Sequence, residues 1–255
     1  MYKSRTDMAV EDMNLGFKYD IEHTINDMIF KKLTVDEAIS KKINKNQGIY
    51  YNIDNIDYIL NKKTLIGIIC SIIQDVLIDL ELENKRLSIL AIGLGNTGIT
   101  PDSLGPLTIS KLKINRHINE NVMYKISAIS PGVMAQTGME TSEIVKALCD
   151  DFKPDLVIVV DALACSVPSR MCHSIQISTA GINPGAGVGN NRKEISHLSL
   201  GVPVLAMGVP TVCDVDVFSK EIENIFFVTP NDIDKAMDAL SNIIAEGINL
   251  SFRND

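Results

Sequence analysis

Residues 155–164 read DLVIVVDALA, an unbroken aliphatic run from Leu156 to Val160 followed at once by Asp161. A half-exposed strand alternates apolar with polar residues, whereas a continuous β-branched run is buried on both faces. The pattern predicts a central strand that ends at Asp161. A second run of the same kind, LSILAIGLG at 87–95, stops in glycines, and VPVLAMGVP (202–210) with the shorter SIQIST (174–179) completes the set.

Helical patterns lie between these runs. In TLIGIICSIIQDVLIDLELE (64–83), Leu65, Ile69, Ile72, Val76 and Leu80 recur at helical spacing. Gln74, Asp75 and Asp79 break that stretch too often for a membrane span. Further helices are expected near 104–113 and from about 138 to 151, the latter with Thr137 and Glu140 in capping-box spacing. A strand is expected near 122–129. The last helix is marked by Thr229 as N-cap, Pro230 in its first position and Asp232 in its first turn. Helices alternating with buried strands define an α/β fold, here a three-layer α/β/α sandwich around a mostly parallel, mixed sheet. Residues 8–60 form an irregular covering segment of short strands and a helix, and no linker divides the rest.

A chain of 255 residues with a net charge of −8 repels phosphate backbones, so nucleic acid is not an expected partner. The first residues carry Asp7, Glu11 and Asp12 where a secretory signal needs an apolar run. Five scattered cysteines without a CxxC pair fit reduced thiols in the cytoplasm. Dispersed histidines do not build a zinc site.

Ligands in open α/β sheets bind beyond the carboxyl ends of strands. Two features fall there. Gly93-Leu94-Gly95-Asn96-Thr97-Gly98 matches G-x-G-x-x-G, a dinucleotide fingerprint that would make the chain an oxidoreductase. Against that reading, Thr100-Pro101 delays the helix and no acidic residue ends the next strand. The other feature is a pair of carboxylates, Asp102 and Asp161. Each alone reads as a cap or a satisfied strand end. Together they can share a proton and activate a water, or hold a divalent metal that does so. Asp214 and Asp216 are further acidic candidates at the same edge. The glycine-rich loop 183–193, with Gly185, Gly187, Gly189 and Asn190, lacks a P-loop ending and offers backbone N–H groups to an extended ligand. No G-x-S-x-G marks a serine hydrolase.

Taken in order, RTDMAVE (5–11), GLGN (93–96), TPDSLGP (100–106), ISPGVMAQTGMETSEIV (129–145), VIVVDALA (157–164), NPGAGVGNNRKE (183–194) and GVPVLAMGVPTVCDVD (201–216) resemble the spore germination protease family of endospore-forming bacteria. The likeness resumes in FVTPNDIDKAMDALSNIIAEGIN (227–249). It implies an endopeptidase that begins degradation of small acid-soluble spore proteins during germination. It implies a fold similar to hydrogenase-maturation proteases, a homotetramer, a spore-core (cytoplasmic) location, and an inactive zymogen that removes a propeptide by self-cleavage. The aspartates regarded as catalytic in the family match Asp102 and Asp161. A non-catalytic relative that only binds spore proteins is the rival reading. The sequence departs from familiar members at Asn96-Thr97-Gly98 and at Thr179-Ala180 and Asn183, but at neither aspartate.

The resemblance also gives a reading of the first residues. Family substrates are cut after an acidic residue in Thr-Glu-(Phe/Ile)-Ala-Ser-Glu, and Thr6-Asp7-Met8-Ala9-Val10-Glu11 has the same layout. The implied cut is Asp7–Met8, leaving residues 1–7 as propeptide and 8–255 as one peptidase domain.

Overall fold

The computed structural model describes residues 6–12, 18–118, 121–189, 192–214 and 226–254. The aliphatic runs become β4 (Leu87–Gly93), β6 (Leu156–Cys165) and β8 (Val204–Asp214), with β5 (Tyr124–Ile129) beside β4. These four strands pair in parallel in the order β8-β6-β4-β5. Each parallel step is bridged by helical segments, as a strand returning in the same direction requires. Among the described residues the sheet has nine strands, and the remainder is antiparallel. β1 (Ile21–Ile25), β2 (Met28–Val35) and β3 (Gly48–Asp54) form a meander whose last strand pairs β7 (Ser174–Ser178). β7 then lies antiparallel to β8, and β9 (Phe227–Val228) pairs the end of β8.

Successive side chains on a strand point to opposite faces, and the core divides accordingly. Leu156, Ile158 and Val160 pack under α3 (Lys62–Asp79), α4 (Leu104–Ser110) and α8 (Ile233–Ser251). Val157 and Val159 pack under α6 (Thr141–Phe152) and α7 (His197–Leu200). This is the expected three-layer arrangement, with a sheet that is mixed rather than chiefly parallel. In α3 the buried positions are Leu65, Ile69, Ile72, Ile73, Val76 and Leu77. Leu80, expected on the same face, instead caps the helix in a partly exposed position.

Two helix starts differ from the sequence expectation. The segment before α6 holds a separate short helix, α5 (Met134–Thr137), which Gly138 ends; Glu140 is then the N-cap of α6 and makes no side-chain cap bond. At α8 the cap position belongs to Asp232, because the Thr229 hydroxyl donates to the Thr211 carbonyl at 2.8 Å and ties β9 to β8. The remaining short helices are α1 (Ala9–Asp12) and α2 (Glu37–Ile43), the latter capped by the Asp36 side chain.

Candidate active site

β6 does not end at Asp161. It runs to Cys165, because β8 extends beside it past a register shift between Leu163 and Ala164. The neighbour on its other side, β4, pairs only as far as Gly93, opposite Val160. Asp161 is therefore the first residue of β6 beyond the β4 ladder, and a crevice opens there. The chain leaving β4 crosses this crevice and returns through a 3-10 turn, Thr100–Asp102, into α4.

A close backbone approach brings Asp102 over the sheet end. A Cβ on Gly105 would lie 2.3 Å from the Leu94 carbonyl oxygen and 2.5 Å from that of Val160, so only glycine lets α4 seat against both strands. Gly93 packs against the same backbone. The G-x-G-x-x-G match thus serves helix-on-strand packing ahead of an aspartate turn.

Asp102 and Asp161 line one cavity of about 360 Å³, with Gly132, Thr141, Gly185 and Asp7 also on its walls. Burial raises the Asp102 carboxyl to about 6. Asp161, almost fully buried and accepting the Ala162 N–H at 2.9 Å, is pushed well above the ordinary carboxylate range by burial, then by the charges of Asp102 and Asp7. Two carboxyls with raised proton affinity on the wall of one cavity can divide the roles of acid and base. Among the described residues no group of three or more His, Cys, Asp or Glu side chains is arranged to hold a metal.

The N-terminal segment occupies the crevice. The Asp7 carboxylate accepts the Ala164 N–H at 2.8 Å and the Gly187 N–H at 2.7 Å, while the Asp7 N–H donates to the Ala164 carbonyl at 2.9 Å. Gly187 leaves no alternative: a Cβ there would sit 2.2 Å from an Asp7 carboxylate oxygen. Lys45 Nζ donates to the Thr6 carbonyl at 2.9 Å. The Gln176 amide spans the next bond, its Nε2 3.4 Å from the Asp7 carbonyl oxygen and its Oε1 accepting the Ala9 N–H at 2.7 Å. Met8 is fully buried with Val10, Leu163, Cys165 and Cys213, and Ala9 packs against Leu33, Val35 and Tyr50. Glu11 ends the segment in a polar seat of its own, bonded to Ser166, Val167 and Arg170.

Of the glycine-loop residues, Gly187 holds Asp7, Gly185 lines the carboxylate cavity, and Gly189 closes the 3-10 turn Ala186–Val188. Asn190 and Asp216 lie outside the described residues. Asp214 is fully buried at the end of β8, opposite Phe227, and lines neither this cavity nor the larger one beside Lys45. Sequence reasoning did not single out Lys45, Ser166, Arg170 or Gln176. Gln176 left one signal, a long polar side chain between Ile175 and Ile177 in SIQIS.

Residues 3–227 match the family described as germination protease. Curated proteins of that name include one from Clostridium perfringens (strain SM101 / Type A), 34% identical over 313 aligned positions that cover 99% of this chain and 96% of the relative. Another, from Clostridium acetobutylicum, is 32% identical over 99% of this chain and 96% of its own length. A third, from Oceanobacillus iheyensis, is 38% identical over 86% of this chain and 66% of its own length. Among solved structures, a [NiFe] hydrogenase maturation protease, HycI from Thermococcus kodakarensis, aligns with 70% of this chain and 99% of its own at a TM-score of 0.38 and 18% identity.

Proposed function

Because the chain belongs to the germination protease family, and so is a peptidase, we propose that it is made as a zymogen that cuts itself between Asp7 and Met8 with Asp102 and Asp161. The observation that carries this reading is the Asp7 carboxylate, gripped by two backbone N–H groups on the wall of the cavity that also contains both aspartates. The same grip selects an acidic residue before the cut, and the apolar seat of Met8 selects a large apolar residue after it.

The chemistry follows from the shared proton. The ionised member of the pair takes a proton from a water, whose oxygen adds to the Asp7 carbonyl carbon. Gln176 Nε2 donates toward the carbonyl oxygen as charge builds there. The protonated member then delivers its proton to the Met8 nitrogen as the C–N bond breaks, leaving a carboxyl at Asp7 and an amine at Met8. Small acid-soluble spore proteins, cut at sites of the same layout inside the spore core, are the proposed substrates, and a homotetramer is the proposed assembly.

The test is intact-mass analysis of the purified full chain over time. The expected result is loss of residues 1–7 as a single step, slowed by roughly a thousandfold or more in Asp102→Asn and in Asp161→Asn. Unchanged processing in either variant, or a cut elsewhere, would overturn the assignment, and no processing at all would return the binding-only reading.

A further inference from the structure

Glu11 lies 155 to 159 residues from the groups that hold it. One carboxylate oxygen accepts both the Ser166 N–H and the Ser166 hydroxyl at 2.6 Å. The other accepts the Val167 N–H at 3.0 Å and a guanidinium N–H from Arg170 Nη1 at 3.3 Å. The Glu11 side chain is 1% exposed and Arg170 is 19% exposed, so little water competes for these bonds. Arg170 is itself fixed from behind. Its Nε donates to Asp54 at 3.0 Å, and Asp54 is held in turn by the Ser174 hydroxyl at 2.7 Å and by Lys31 at 3.6 Å. A guanidinium locked by one carboxylate presents its free edge to a second without reorganising.

The backbone of the bound segment makes this seat a measure of position. Ala9–Asp12 form one helical turn, and the Glu11 N–H donates to the Met8 carbonyl at 3.2 Å. Each residue along such a turn rotates the side chain by about 100°. An acid moved one place toward the cut, or one place away, points out of the seat while the upstream acid remains between Ala164 and Gly187. Resting on the proposed cut at Asp7–Met8, we propose that Ser166, Val167 and Arg170 form a receptor for an acidic side chain four residues beyond the acid at which a chain is cut. This receptor sets the register of cleavage in protein substrates as it does in the chain's own N-terminus.

The test uses the full chain, after it has processed itself, with three peptides spanning residues 3–14, each carrying Asp12→Asn so that a neighbouring acid does not interfere. One keeps Glu11, one carries Glu11→Gln, and one exchanges Val10 and Glu11. Loss of a charge-assisted hydrogen-bond set predicts kcat/KM lower by about tenfold or more for the second and third, mainly through KM. In Arg170→Gln protein the three peptides should differ by less than about threefold. Equal cutting of all three after the first acid by the unaltered protein would overturn the receptor while leaving the protease reading intact. If no peptide is cut, the receptor is judged without chemistry, and the protease reading fails with it only where the chain has not processed itself either. Hydrogen exchange at the Ser166 and Val167 amides is then compared between the full chain and its Glu11→Gln variant. Exchange faster by about tenfold in the variant supports the seat, and equal exchange removes it.

Discussion

A methyl group at position 187 would test the Asp7 seat more cleanly than any change to the aspartates. Gly187→Ala places a Cβ 2.2 Å from an Asp7 carboxylate oxygen and 2.8 Å from the Ala164 Cβ, in a loop that carries little of the core. We expect self-cleavage to slow by about a hundredfold, the consequence of a misplaced reacting bond, while the melting temperature moves by only a few degrees. A variant that loses fold and processing together would refute this. Gln176 is a second test at this scale. Gln176→Ala removes the donor near the Asp7 carbonyl and the acceptor of the Ala9 N–H together. Loss of one such donor costs about a hundredfold in rate, which single-turnover processing would read.

Among the elements, the approach of α4 to β4 and β6 decides where Asp102 lies. Gly105→Ala meets two backbone carbonyls, which cannot swing aside as a side chain could. The helix must retreat, and overpacking of this kind costs about 1–3 kcal/mol, which chemical denaturation of the full chain would measure. Three of the four parallel strands, β4, β6 and β8, were legible because their aliphatic runs are continuous, and Asp161 was legible because it interrupts one of them. Asp102 stood out in the loop after the glycines that end β4. In the antiparallel half SIQIST was legible as β7, but residues 8–60 were legible only as short strands and a helix without bounds. Most of β1 is solvent-exposed and so lacks the alternation that would announce it. Thr137 and Thr229 carried cap signals, but Gly138 ends the first helix before that cap can form and a cross-strand bond claims the second hydroxyl. The end of β6 was misjudged for a related reason: only its partner β8, through its length, extends it beyond Asp161. The Glu11 seat lay beyond reach altogether, since nothing local relates position 11 to Ser166.

Across the whole molecule, three carboxyls with raised proton affinity, Asp7, Asp102 and Asp161, couple folding to pH. A carboxyl raised in the fold binds its proton more tightly than in the unfolded chain. Its stabilisation is complete at acid pH and is lost as pH rises through the folded value, about 6 for Asp102. Thermal unfolding should therefore show greater stability near pH 5 than near pH 7 for these groups, and Asp102→Asn should flatten that difference. A steeper pH dependence in the variant would contradict it. Self-cleavage, which needs one proton on the pair, should likewise fall as the solution turns alkaline.

A cut at Asp7–Met8 also frees only the upstream peptide. Met8, Ala9, Val10 and Glu11 stay attached to the body of the chain, with their buried contacts and hydrogen bonds unbroken. They become a tethered product, kept at its own groove by covalent attachment to the chain. A protein substrate arriving from solution must displace this resident before it is cut. The first turnover of the processed enzyme is therefore an exchange between two ligands, and the weaker the hold on position 11, the sooner the enzyme opens to others.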